Sequence, residues 1–382
     1  MDYLSEAEKH ISELYGIREQ IHRHPELGNH EFQTAALVEE VLHGLGIETR
    51  RLTDTAIVGT FHGALPGPIV ALRADMDALP VTETTGAPFA SEIPGRMHAC
   101  GHDVHTTAVL GAAMILSEQR DKLRGEIRFF FQPDEEGAGG ADRMIAAGCM
   151  DGVEAVFGAH VAPDLPAGVI GVRYGKFYAA SDTFAVTITG RSAHGAQPEK
   201  GIDALAAAAE TVTALRRLPK EIISNPAVLT VGKFHAGTAD NVIAGSAEFT
   251  GTMRTLGNAD RTALKQAFRE TVESISARYG AKFDILFHES YSGIVNTDAE
   301  TRFVQETAES LFGTESVRVL EKPIMTTEDF GCFIDAANGS FYHIGAGCSA
   351  PLHSPEFLPE PFTIIRLAAL HADIIGQYLL TH

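Results

Sequence analysis

The stretch Arg124-Gly125-Glu126-Ile127-Arg128-Phe129-Phe130-Phe131-Gln132-Pro133-Asp134-Glu135-Glu136-Gly137 decides the fold. From Ile127 to Phe131 it is almost continuously apolar, the pattern of a strand covered on both faces. Two adjacent glutamates follow directly, where charge is costly unless something pairs with it. Working outward, helical spacing runs through Ile11, Leu14, Ile17 and Ile21, then through Phe32, Ala36, Val41 and Leu45. Strands are expected near 56–61, 69–73, 126–131 and 154–159, with a helix over about 104–118. Helices alternating with apolar strands imply an α/β layer structure.

From about 180 to 289 the pattern changes. Phe184, Val186 and Ile188 alternate as in a one-sided strand, and Ile202, Leu205, Ala209 and Val212 repeat as an amphipathic helix. Strands near 227–234 and 243–254, a helix through Leu264, Phe268, Val272 and Ile275, and a strand near 282–287 complete the order βαββαβ. That order is a ferredoxin-like unit, able to fold as an insertion. Residues 290–382 return to helix and strand alternation and end in a helix after Pro361. A chain of 382 residues exceeds the roughly 250–300 at which one core stops growing, so two domains are expected: 1–179 with 290–382, and 180–289.

A net charge of −20 leaves no footprint for phosphate backbones or an anionic membrane surface, so neither nucleic acid nor membrane is an expected partner. Residues Met1 to His10 are polar and acidic, unlike a signal peptide, and no apolar run approaches a membrane span. A cytoplasmic location is expected. Four cysteines are too sparse for a disulfide scaffold. Cys149, Cys332 and Cys348 read as small buried hydrophobes.

Cys100 differs because of its neighbours. The run His98-Ala99-Cys100-Gly101-His102-Asp103 sets a thiol and an imidazole two residues apart at a helix start. Asp75 and Asp77 follow one strand, Glu135 and Glu136 another, and His160 ends a third. Open α/β sheets bind ligands at the carboxyl ends of their strands. Thiol, imidazole and carboxylate together form a ligand set for zinc or a similar first-row ion. His353, in the glycine- and proline-containing peptide Gly347 to Pro355, joins the candidates through that company.

Five spaced segments carry a resemblance: Arg73-Ala74-Asp75-Met76-Asp77-Ala78-Leu79-Pro80, the His98–Asp103 run, Gln132-Pro133-Asp134-Glu135-Glu136-Gly137, Gly158-Ala159-His160 and Pro351-Leu352-His353-Ser354-Pro355. In this order they resemble the dinuclear metal amidohydrolases, which include aminoacylases, hippurate hydrolases, N-acetyl-diaminopimelate deacetylases and indole-acetyl-amino-acid hydrolases. The resemblance implies two divalent ions per subunit, zinc or manganese with cobalt and nickel as alternatives, ligated by Cys100, His102, Glu136, His160 and His353. It implies Glu135 as general base and Asp77 as support for the metal site, and leaves Asp75 without a role. It also implies a catalytic domain with a central mixed sheet flanked by helices, and an inserted lid through which two subunits dimerise. Within the lid, Ser192-Ala193-His194-Gly195 is similar to the family's histidine motif and makes His194 the oxyanion donor. Asn241 and Arg254 resemble substrate-contacting positions.

The expected reaction is hydrolysis of the amide bond of an N-acyl amino acid, with Arg254 gripping the free carboxylate. A dinuclear-metal dipeptidase or aminopeptidase is the alternative, and it would need an acidic group to receive a free amine.

Overall fold

In the computed structural model, which describes residues 2–382, the apolar run lies in a strand, Arg124–Gln132, with Phe129, Phe130 and Phe131 wholly buried. It belongs to an eight-stranded mixed sheet. The strand order is Glu48–Arg51, Ile57–His62, Arg124–Gln132, Leu65–Asp75, Val153–Ala162, Asn338–Gly345, Ile170–Val172, Val317–Val319. The central four strands, from Arg124–Gln132 to Asn338–Gly345, are mutually parallel, and the strand next to them on each side, Ile57–His62 and Ile170–Val172, pairs antiparallel. Parallel register places Asp75 opposite Gln132 and Arg73 opposite Gly158, so their carboxyl ends share one edge. The expected strand over 69–73 is longer at both ends, and the segment from Asp75 onward leaves that edge.

The helix His102–Ser117 is buried from His102 to Leu116: Ala108 to Leu116 are apolar, and the polar residues of its first turns, Asp103, His105, Thr106 and Thr107, are buried with hydrogen bonds. Its tight contact with the C-terminal helix Phe362–Thr381 depends on Gly111, where a methyl group would come 2.8 Å from Ala368 Cβ and 3.1 Å from the Leu14 methyls. No helix among the described residues is long and apolar enough to cross a membrane.

The chain divides into two compact units. One comprises the residues up to Gly175 with Asn296–Lys322 and Asp329–His382 and holds the eight-stranded sheet; the other comprises Lys176–Val295 and Pro323–Glu328. In the second unit, strands Ala180–Thr189, Val228–Ala236, Ser246–Thr255 and Lys282–Glu289 form an antiparallel sheet with Val228–Ala236 at one edge. Helices Ala204–Leu215 and Asn258–Tyr279 supply Ala204, Ala207, Leu264, Phe268 and Val272 to a core with Phe184, Val186, Ile188 and Phe249. The alternation along Ala180–Thr189 therefore marks one covered and one open face.

The strand expected over 243–254 is two elements. Val242–Ile243 pairs with Ala193–His194, and the sheet strand begins only at Ser246. Gly245 lies in this break, where a side chain would collide with Ser192 Oγ. The segment 323–328 joins this unit through Ala179 N donating to Thr326 O and Ile324 N donating to Phe177 O.

Candidate metal centre

Three parallel strands and the start of one helix deliver the site. His102 opens its helix after Gly101, whose φ of +86° turns the chain in the left-handed region and whose approach to Val161 excludes a Cβ. Cys100 therefore faces His160, with Sγ 3.3 Å from its Nε2. His160 Nδ1 bonds to Val161 O, which fixes the tautomer and leaves the Nε2 lone pair on the cysteine side. His102 has the same arrangement: Nδ1 bonds to Asp77 O at 2.9 Å and lies 3.2 Å from Asp77 Oδ1. Its Nε2, fully buried, has no hydrogen-bond partner among the described residues and lies 4.0 Å from Glu136 Oε1. His353 is exposed at φ +64°, yet its N–H bonds to Ala99 O and its Nε2 stands 3.1 Å from Glu136 Oε1.

Several trios have donor atoms within 4.8 Å of one another, and two of them gather expected ligands around one thiol: Cys100, His102 and His160, and Cys100, Glu136 and His353. They share Cys100. A third trio, His102, Glu135 and Glu136, brings Glu135 to the same place. All five residues expected as ligands, with Glu135 and Asp77, are thus one cluster on the sheet edge.

The charges fit a cation. Burial, then the carboxylates of Glu136 and Glu135, pushes the Cys100 thiol well above its ordinary value. Burial works against a charge on His102, but the carboxylates of Asp75 and Asp77 prevail and hold it at about 10. A proton there answers negative charge that a divalent ion would also answer. Burial keeps His160 neutral, the form in which imidazole ligates metal. The residues present therefore suit divalent ions.

Asp75 is wholly buried and held by two side chains. It accepts from Arg73 Nη1 at 2.6 Å and from His105 Nδ1 at 2.7 Å, while His105 Nε2 accepts from Val161 N. Arg73 also donates to Gln132 Oε1 and Asp329 Oδ1, and Asp329 receives Gly140 N and Ala141 N at the start of the next helix. Asp103 is claimed by Arg18 and His22 at 3.0 and 2.8 Å. The sequence reading missed Arg73, His105, Asp329, Arg18 and His22. An arginine inside an apolar strand was the available signal, since it requires buried partners.

In the other unit, His194 is exposed, and its Nδ1 accepts from Ala196 N, so its proton sits on Nε2. Asn241 is beside it: Gly195 N donates to Asn241 O, and Val242 is the strand partner of His194. Arg254 is half-buried and donates to Met325 O at 2.9 Å. It is eight residues beyond Ser246 on its strand, about 26 Å at 3.3 Å per residue.

Sheet edge and cluster define a metal-dependent hydrolase. Residues 71–375 match the model of the peptidase family M20/M25/M40. The chain is 39% identical over 95% of its length to N-acetyl-L-cysteine deacetylase of Bacillus subtilis strain 168, covering 86% of that protein. It is 44% identical over 75% of its length to N-acyl-L-amino acid amidohydrolase of Geobacillus stearothermophilus, covering 79% of it. Its fold matches the crystal structure of the Bacillus subtilis YXEP protein, a dinuclear metal binding peptidase from the M20 family. That match has a TM-score of 0.89 and 33% identity, over 98% of this chain and all of that one. The chain belongs to the peptidase family M20/M25/M40 and is an amide-hydrolysing enzyme.

Proposed function

We propose that this enzyme removes the acyl group from N-acyl amino acids, using two divalent ions held by Cys100, His102, Glu136, His160 and His353. The observation that carries this reading is the pair of ligand trios sharing Cys100 beside Glu135. When bound, a pair of ions would acidify a shared water and polarise the scissile carbonyl. The thiolate favours zinc, with manganese the alternative. Glu135 takes the proton of the attacking water and delivers it to the leaving amine. Asp77 keeps His102 in the right tautomer through Nδ1.

The unit containing residues 180–289 is proposed to be a ferredoxin-like lid and dimerisation domain; the order strand-helix-strand-strand-helix-strand supports this. Its Val228–Ala236 edge is exposed at Val228 and Phe234, as a pairing surface requires. His194 donates Nε2–H to the developing oxyanion. Arg254 grips the substrate carboxylate. The strand from Ser246, three residues past the Val242–Ile243 pair that partners His194, to Arg254 runs about 26 Å, longer than a small acyl amino acid. It supports supply of His194 and Asn241 from a partner subunit. Four cysteines that are not joined in disulfides suit a reducing, cytoplasmic setting.

The test is a hydrolysis screen of the metal-loaded enzyme on N-acetyl amino acids, their carboxamides and unblocked dipeptides. The acids are expected to be strongly preferred, and Arg254→Ala to raise KM for the acid and narrow its lead over the amide. Preference for the unblocked dipeptides would move the assignment to a dipeptidase or aminopeptidase.

A further inference from the structure

We infer that Asp134 is a positioning residue for Glu135, held by a clamp of Asn29, Glu31 and Arg143, and that this clamp sets turnover. The inference rests on the reading of Glu135 as base.

Asp134 joins the Arg124–Gln132 strand to the turn bearing Glu135 and Glu136, and it does so at φ +60°. A non-glycine residue pays for that conformation, though aspartate and asparagine pay least. Glycine would remove the cost, but it would also remove a carboxylate that accepts two side-chain hydrogen bonds. Asp134 Oδ2 accepts from Asn29 Nδ2 at 2.7 Å and from Arg143 Nη2 at 2.9 Å. Arg143 Nη1 donates to Asn29 Oδ1 at 2.5 Å, which closes the ring. Asp134 Oδ1 sits in a notch between Gly28 and Gly137, where a methyl group on either would collide with it.

The backbone is pinned as well. Glu31, wholly buried, accepts from Asp134 N and from Asn29 N, each at 3.0 Å. Asp134 O receives Gly139 N at 3.0 Å. The clamping segment is itself anchored, because Ala78 N donates to Glu26 O and the Glu26 carboxylate caps Gln33 N and Thr34 N. On the far side, Glu136 N donates to Asp77 Oδ2 at 3.0 Å. Glu135 thus lies between two fixed points, one on Asp77 and one on Asp134. Rotation about the Asp134 backbone would swing its carboxylate out of hydrogen-bond reach of the attacking water. A displacement of about 1 Å at such a group can cost roughly 10²-fold.

The experiment compares Asp134→Ala, Asp134→Asn, Arg143→Ala and Glu135→Gln in the metal-loaded full-length enzyme. It reads kcat, KM, metal content and melting temperature with an N-acetyl amino acid. Asp134→Ala is expected to lower kcat about tenfold or more with KM and metal content retained. Asp134→Asn, which keeps the short acceptor and tolerates the left-handed backbone, should return kcat to within about threefold. Unchanged kcat in Asp134→Ala overturns the inference, and so does metal loss in step with activity, which would place the effect on Glu136. If Asp134→Ala does not fold, exposed Arg143→Ala decides: a smaller fall in kcat supports the clamp and an unchanged kcat overturns it. The control separates the two levels. A fully active Glu135→Gln removes the base assignment and the clamp with it, whereas an inactive Glu135→Gln beside an unaffected Asp134→Ala removes the clamp alone.

Discussion

Loading the site with metal should release protons from its ligands. In the metal-free cluster the Cys100 thiol is pushed well above its usual value by burial and by Glu136 and Glu135, so near neutrality it keeps its proton. His102 also keeps one, since Asp75 and Asp77 outweigh burial and hold it at about 10. His160 is already neutral, and Glu136 is already ionised because His353 and His102 outweigh its burial. Two of these donors must therefore deprotonate to ligate, and loading near pH 7.5 releases about two protons per subunit from the ligands, in addition to any from the shared water. The sign follows: affinity rises with pH while both groups are protonated in the apo form, by about 100-fold per unit for two protons. Titration calorimetry of zinc or manganese into chelator-stripped enzyme, in buffers of different ionisation enthalpy, reads the count directly. In Cys100→Ser the hydroxyl keeps its proton, so the count should fall by about one and the pH dependence to about tenfold per unit. A count near zero, or a count unchanged in Cys100→Ser, would refute the ligand assignment of Cys100 and His102.

Glu136→Gln should lower metal content, measured by elemental analysis after dialysis, because a charged ligand becomes a weaker neutral one; full metal content removes Glu136 from the ligand set. His194→Ala should lower kcat about 10²- to 10³-fold at unchanged metal content. Mixing it with Glu135→Gln should regenerate activity in hybrid dimers, and a fully active monomer rules out supply in trans. Acid stability should be limited by His343 and His371, both held at about 3 by burial. Between their unfolded value of about 6.5 and that figure the unfolded chain binds more protons, so each removes about 1.4 kcal/mol of stability per pH unit lost. Glu31 and Asp373, raised by burial to about 7 and about 6, act in the opposite direction over part of that window. The readout is therefore a difference: His371→Leu should show a shallower loss of denaturant midpoint from pH 6 to 4 than the parent, and equal slopes would count against a neutral buried His371.

The apolar run through Phe129 to Phe131, the change of pattern near residue 180 and the five ligand candidates were all legible in the sequence. The reason is local: a strand covered on both faces leaves its mark in consecutive residues, and ligands at the ends of successive strands fall in short motifs. Other features depend on residues far apart in the chain. The role of Asp75 needed Arg73 and His105, and Arg73 in turn needed Asp329, 256 positions away. The clamp on Asp134 comes from residues 29 and 31, and its left-handed backbone has no signature in the letter D. Likewise, the joining of 323–328 to the 176–295 unit follows from backbone hydrogen bonds to residues 177–179. Burial and the succession of strands and helices along the chain are written in local hydrophobic pattern. The orientation of a charged side chain is decided by which distant partner makes its desolvation bearable, and only the folded chain brings that partner within reach.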